Sequence, residues 1–241
     1  MNENRRVFSY TCVSVASVLL IVALLIISIE MFALNTDFFE SEYKKLGTAQ
    51  SIGLSEQDLS AVTQKLIGYT TDAEPNLNMQ ANIGGEMQEV FGQREKDHMV
   101  DVKALYLGAR DIRTICLIGA VVLIAAAFAL TRKKTLRILC KSFLYVSGAF
   151  VVIVGALGVY AAVDFTSFWV SFHHLFFTND LWLLDPATDV LIMMVPEQFF
   201  SDLVARIIIR FVSMFVALNA VAIAGIALLN KRRQKNTIQE A

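Results

Sequence analysis

Charged side chains are scarce in this chain. They make up 18% of its 241 residues, against 56% hydrophobic, where soluble domains carry about 25% charge. That scarcity excludes an ordinary soluble domain, because several apolar runs reach the roughly 20 residues needed to cross a bilayer core. The net charge is −1, and no Lys/Arg-rich face is interleaved with aromatics, which argues against a nucleic-acid partner. Only three cysteines are present: Cys12, Cys116 and Cys140. Two fall in apolar runs and the third follows a basic loop, so neither a disulfide framework nor a metal-binding spacing is present. Catalytic motifs are missing too. There is no G-x-S-x-G nucleophile elbow, no H-E-x-x-H zinc motif and no Walker A loop. No Ser or Thr sits in a recognisable nucleophile motif, and there is no internal repeat or low-complexity segment.

What is present is four long apolar runs, about residues 7–34, 114–130, 142–163 and 207–229. The first follows Arg5-Arg6 and so resembles a signal peptide at its start. A signal peptide's apolar core is only about 7–15 residues; this run is longer and ends in Glu30-Met31-Phe32-Ala33-Leu34, which reads as a retained anchor. Basic residues cluster before the first run, between the second and third (Arg132-Lys133-Lys134, Arg137, Lys141), and after the fourth (Lys231-Arg232-Arg233-Lys235). The positive-inside rule puts all three clusters in the cytoplasm. The expectation is an all-α integral membrane protein in one membrane domain over residues 1–241. It has four transmembrane helices and both termini cytoplasmic. A small extracellular cap of helices and loops is formed by residues 35–113 and 164–206.

Both cap segments are too long to be simple turns. Ser55-Glu56-Gln57-Asp58 ahead of Leu59, Val62, Leu66 and Ile67 reads as a capped amphipathic helix. The stretch from Glu86 to Arg113 reads as one helix leading into the second span, with Phe91, Val102, Leu105, Ala109 and His98 on one stripe. Asp185-Pro186 marks a turn and Val195-Pro196-Glu197 a helix start.

All three histidines, His98, His173 and His174, fall in the cap segments. Histidine moves protons near neutral pH more readily than any other side chain. Glu95, His98 and Asp101 stand at helical i, i+3 spacing, so a carboxylate one turn away can orient the imidazole, and Arg94 flanks it. An amphipathic helix with one His on its polar face explains the same spacing. Around His173 run Phe165, Phe168, Trp169, Phe172, Phe176 and Phe177. They fit an interfacial aromatic belt, or a desolvated pocket that keeps a histidine neutral and basic. From Asn179 to Phe200 acidic groups alternate with large apolar ones, as a surface loop or the mouth of a lipid-lined cavity. Glu30, near the outer end of the first span, belongs with that third group.

Taken together, several segments resemble the lipoprotein intramolecular transacylase (Lit) family of Gram-positive bacteria. They are Arg94-Glu95 with His98-Met99-Val100-Asp101-Val102-Lys103, Phe172-His173 with Phe176-Phe177, Asn179-Asp180-Leu181-Trp182-Leu183-Leu184-Asp185-Pro186, the Ser55 to Leu59 segment with Tyr69, and Pro196-Glu197 with Phe199-Phe200. The resemblance covers essentially the whole chain. It implies a multi-pass bacterial membrane enzyme with its site at the extracellular face and membrane lipid around it. The implied substrate is a diacylglyceryl-cysteine lipoprotein, whose sn-2 acyl chain moves to the cysteine α-amino group to give the lyso-form. His98 and His173 become the catalytic pair, and His174 occupies a variable position of the pattern. Arg94, Glu95 and Asp101 would support them, Arg94 or backbone N–H groups stabilising the oxyanion. Tyr69, Trp169, Phe172, Phe176, Phe177 and Trp182 would line the substrate pocket. No cofactor and no metal are implied. Two other readings stand beside this one. One is a metal-dependent lipid hydrolase using His98, Asp101, His173 and His174 as ligands. The other is a non-enzymatic membrane scaffold or sensor.

Overall fold

Nine α-helices and a two-stranded hairpin follow from this sequence in the computed structural model, which describes residues 3–239, with side chains except at 133 and 236–238. The first two and last two residues of the 1–241 range expected from sequence lie outside the described residues. Four helices are long and apolar enough to cross a membrane: α1 (Glu3–Ala33), α5 (Gln93–Thr131), α6 (Thr135–Val163) and α9 (Glu197–Gln239). Shorter helices lie between them: α2 (Thr36–Leu46), α3 (Thr48–Ile52), α4 (Glu56–Thr70), α7 (Phe165–Phe176) and α8 (Val190–Met194). The backbone divides into two units. One comprises Met1–Ser28, Asp111–Val159 and Ile208–Ala241, the other Ile29–Arg110 and Tyr160–Ile207.

The first unit is built from the apolar parts of the long helices. Ile21 of α1, Cys140 and Phe143 of α6, and Phe211, Phe215 and Ala222 of α9 form one buried cluster. Cys12, Val13, Ala127 and Ile138 form another. Glycine permits the closest approaches. A Cβ on Gly225 would come 3.2 Å from Cys140 Sγ, and one on Gly119 3.1 Å from Leu19 Cδ1, the small-residue packing that membrane helices use.

The second unit has its own core, in which Phe199 is fully buried and meets the rings of Phe38, Phe39 and Tyr43 at 5.4, 4.9 and 6.0 Å. Its helices start where the sequence places capping groups. Asn35 Oδ1 accepts from Phe38 N at 2.9 Å and Ser55 Oγ from Asp58 N at 3.0 Å. Asp164 Oδ1 accepts from Ser167 N at 3.0 Å. Pro196 precedes α9, and the Asp185 carbonyl closes the turn to Thr188 N and Asp189 N at 3.1 and 2.8 Å, both as expected.

One expectation is corrected. Glu86–Glu89 does not begin the helix that carries His98. It is strand β2, paired antiparallel with β1 (Gln80–Ile83) so that Ile83 faces Glu86. The loop is Gly84-Gly85, with φ of +64° and +97°. Two positive φ values in a two-residue loop make the mirror-image turn that matches strand twist. The Gly84 N–H donates to the Gly53 carbonyl at 3.0 Å, and Gly53, itself at φ +84°, leaves no room there for a Cβ. Helix α5 therefore begins at Gln93, and the fold is helical with one ribbon rather than wholly α.

Candidate active site

Helix α5 continues as one element from Gln93 to Thr131, but its first turns belong to the second unit and lie outside its apolar stretch. His98 stands on the second of those turns. Helix α7, capped by Asp164, brings His173 to its last turn. Both imidazoles are buried, with 8% and 7% of their surface exposed. Their ring centres lie 6.2 Å apart at 33°. Two hydrogen bonds of about 2.6–3.2 Å through one shared group span such a gap.

Aromatic rings close in on the pair. His173 stacks on Trp182 at 4.6 Å and meets the edges of Trp169 at 4.7 Å and Phe172 at 5.6 Å. Phe177 touches both histidines, at 5.3 Å from His98 and 5.6 Å from His173. Trp169 is itself stacked with Phe165, Phe172 and Phe200, the last at 4.1 Å. Phe176 leans on Phe172 and is half-exposed. His174 is exposed and stands at right angles to the Trp182 ring, 5.4 Å away.

Burial sets the charge state. It pushes the His98 imidazole down from 6.5 to about 4. A charge on His173 and the Arg94 guanidinium act in the same sense, while Asp101 opposes them. Burial is also the main reason His173 falls below its ordinary value, opposed by its bond to Trp169 and assisted by His174. Both imidazoles are therefore neutral near pH 7. His173 Nδ1 lies 2.8 Å from the Trp169 carbonyl. A carbonyl only accepts, so Nδ1 carries the proton and Nε2 keeps its lone pair. No Ser, Thr or Cys bonds to either imidazole among the described residues, so a hydroxyl–histidine or thiol–histidine nucleophile is not assembled here.

The supporting residues expected from sequence are present but turned to other partners. Glu95, 2% exposed, does not orient His98. Its carboxylate accepts from Gly92 N at 2.5 Å and Leu191 N at 2.6 Å, tying the start of α5 to α8. Burial raises its pKa. Arg94 donates from Nε to the Leu183 carbonyl at 3.2 Å and from Nη2 to the Asp180 carbonyl. Asp101 accepts from Asn179 Nδ2 at 2.9 Å. Arg94 and Asp101 thus hold the 179–184 loop, which carries Trp182. Tyr69 stands apart from the ring cluster. It packs in the core of the unit with Lys103 Nζ 4.7 Å over its ring.

Two residues outside the expected set complete the arrangement. Asn179 ties the loop to Asp101, and Phe200 backs Trp169. Asn179-Asp180 is a turn signal that marks the loop's start, whereas nothing local ties Phe200 to Trp169. The four-ligand metal set is not assembled. No three His, Cys, Asp or Glu side chains converge among the described residues; Asp101 is bonded to Asn179.

The chemistry open to this arrangement is proton transfer by two neutral imidazoles, buried and surrounded by aromatic rings. Comparison with known proteins bears on what they act on. The family model Lipoprotein intramolecular transacylase Lit matches residues 14–200. No curated protein matches the sequence. Among solved structures, the chain is similar to the membrane-integral lipoprotein intramolecular transacylase Lit from Bacillus cereus, with a TM-score of 0.75 at 18% identity over 97% of this chain and 100% of that one. It is similar to a histidine-to-alanine variant of the same protein, with a TM-score of 0.72 at 19% identity over 94% and 96% of the two chains.

Proposed function

The chain belongs to the lipoprotein intramolecular transacylase Lit family, and we propose that it moves the sn-2 acyl chain of a diacylglyceryl-cysteine lipoprotein to the α-amino group of that cysteine. The product is the lyso-form, N-acylated with a monoacylglyceryl thioether. The observation that carries this reading is the pair of buried, neutral imidazoles 6.2 Å apart among aromatic rings, with no protein nucleophile bonded to either among the described residues.

The substrate supplies its own nucleophile. An α-amino group has a pKa of about 7.7–8.0. In its neutral form the amine attacks the ester carbonyl, and the nitrogen loses a proton to one imidazole as the C–N bond forms. The other imidazole, protonated in exchange, delivers a proton to the glyceryl oxygen as the C–O bond breaks. One proton moves from nitrogen to oxygen, and the enzyme is unchanged. Each positioned proton transfer typically contributes about 10²–10⁴-fold, and folding one molecule onto itself supplies a high effective molarity. The tautomer of His173, with Nε2 free, suits it to take the amine proton first. The rings of Trp169, Phe172, Phe177 and Trp182 limit water, which would otherwise hydrolyse the ester.

In this reading the second unit lies at the extracellular face and the termini are cytoplasmic, because Lys/Arg clusters flank the other ends of the spans. Val163, Leu175 and Leu183 expose most of their apolar surface, in keeping with lipid beside the site. The test is expression in a cell that makes diacylated lipoproteins, followed by mass spectrometry of the N-terminal lipopeptide. The expected product carries an N-acyl chain and one O-acyl chain. Unchanged diacylglyceryl lipopeptide in the presence of folded protein refutes the reading.

A further inference from the structure

Trp182 has an unspent hydrogen-bond donor. Its Nε1 is buried and has no hydrogen-bond partner among the described residues. Buried polar groups are nearly always paired, and one that is not calls for an explanation. Stacking does not supply it, since a phenylalanine would stack on His173 equally well without burying an N–H. The indole lies at 27° to the His173 ring, 4.6 Å away. An in-plane N–H on a near-parallel ring emerges beside the imidazole rather than toward it, so His173 is not its partner.

The donor is also held in place. Trp182 sits in the loop whose carbonyls at Asp180 and Leu183 bind Arg94 and whose Asn179 binds Asp101. Both anchors stand on the helix that bears His98. Arg94, the cation placed nearest by sequence to a developing anion, commits its Nε and Nη2 to that loop. The loop held in this way presents a donor of its own, the unpaired Trp182 N–H.

We propose that the Trp182 indole N–H donates to the acyl carbonyl oxygen of the substrate and strengthens that bond as the oxygen becomes an oxyanion. An indole N–H only donates, so it takes no part in the proton transfers. Of the oxygens at the reacting ester, the glyceryl one receives its proton from an imidazole, and the carbonyl one gathers charge. A fixed donor aimed at that charge, in a pocket poor in water, is the arrangement that lowers such barriers. Arg94 and Asp101 are then positioning residues acting through Trp182. This rests on the transacylase reading above.

The experiment replaces Trp182 in the full-length protein with benzothienylalanine, which keeps the bicyclic ring and has sulfur in place of N–H. Turnover of a synthetic diacylglyceryl-cysteine lipopeptide is followed by mass spectrometry. Loss of one such donor typically lowers kcat about 10²–10³-fold, and that fall is expected with KM nearly unchanged. Full turnover by the isostere overturns the donor role, while wild-type protein that forms no N-acyl product overturns the parent reading instead. A second measurement serves if the isostere does not fold. The chain has two tryptophans, so the indole N–H resonances of labelled wild-type protein are assignable. A phosphonate analogue of the tetrahedral species is expected to move the Trp182 signal strongly downfield, and an unmoved signal overturns the proposal.

Discussion

The two units bury different kinds of polar group. In the unit made from Met1–Ser28, Asp111–Val159 and Ile208–Ala241, every buried polar residue among those described is Ser or Thr. Ser17, Ser28 and Thr131 donate to carbonyls four residues back, each at 2.8 Å. The other unit buries two carboxylates and two imidazoles, at Glu42, Glu95, His98 and His173. A hydroxyl inside an apolar helix has a carbonyl within reach one turn back, and these three use it, whereas the buried Ser9 and Ser147 hydroxyls have no hydrogen-bond partner among the described residues. A carboxylate has no such built-in partner, and Glu95 reaches Leu191, 96 positions along the chain. Glu95 does so beside the imidazoles, tying the start of α5 to α8.

The sharpest way to break that comparison is at the histidines. His98→Ala and His173→Ala each remove one of the two proposed proton-transfer groups, and transfer is expected to fall by about 10³-fold or more, in line with the 10²–10⁴ typical of general acid–base groups. His174→Ala, on an exposed residue that stands at right angles to the Trp182 ring, is expected to keep most activity. Lipopeptide mass spectra of the three variants decide it. Activity lost at His174 and kept at His173 would reverse the roles within the doublet.

Glu95→Ala comes next. It removes a carboxylate that satisfies two backbone N–H groups, at Gly92 and Leu191. The Leu191 N–H is buried, and a buried donor left without a partner costs about 1–3 kcal/mol, whereas the exposed Gly92 N–H can turn to water, so the variant is expected to lose about 1–3 kcal/mol. Thermal unfolding in detergent reads this directly. A melting temperature equal to wild type would mean that α8 does not depend on Glu95.

Much of this was legible before any coordinates. Long apolar runs mark the four membrane-crossing helices, and Ser55 and Pro196 mark helix starts that the structure keeps. Local signals act over three or four residues, and sequence reports those well. Apart from Gly92, the partners of Arg94, Glu95 and Asp101 lie 78 to 96 positions away, and helical spacing pointed instead to His98 one turn off. The hairpin escaped for another reason. Glu86–Glu89 carries no β-branched or aromatic residue, and its strand pairing is imposed by the Gly84-Gly85 turn, which holds β2 against β1.

A gentler test uses pH. The folded imidazole of His98 titrates near 4 and the ordinary value is 6.5, so between those values the unfolded chain binds the proton more readily. Stability that His98 contributes as a neutral group is complete above about pH 6.5 and lost as pH falls toward 4. Glu95 acts in the opposite sense, since its raised pKa lets the folded state take a proton more readily than the unfolded one. Wild type and His98→Gln share that contribution. Between pH 7 and pH 4.5 the wild-type melting temperature is therefore expected to fall further than that of the variant, by several degrees. Parallel curves would show that folding does not hold His98 neutral below its ordinary pKa.

The smallest effect is expected in the other unit, at Ser17→Ala. Ser17 is fully buried, as Glu95 nearly is, and its Oγ bonds the Val13 carbonyl at 2.8 Å. In a helix that carbonyl already accepts the N–H of residue 17, so removing the hydroxyl leaves no orphan behind. Alanine is the better helix former by about 0.5 kcal/mol, which offsets the modest bond that is lost. The melting temperature is expected to stay within about one degree, and lipopeptide turnover to match wild type. A loss comparable to that of Glu95→Ala would break the contrast between the units, because it would make a locally satisfied hydroxyl as consequential as a carboxylate that joins two distant segments.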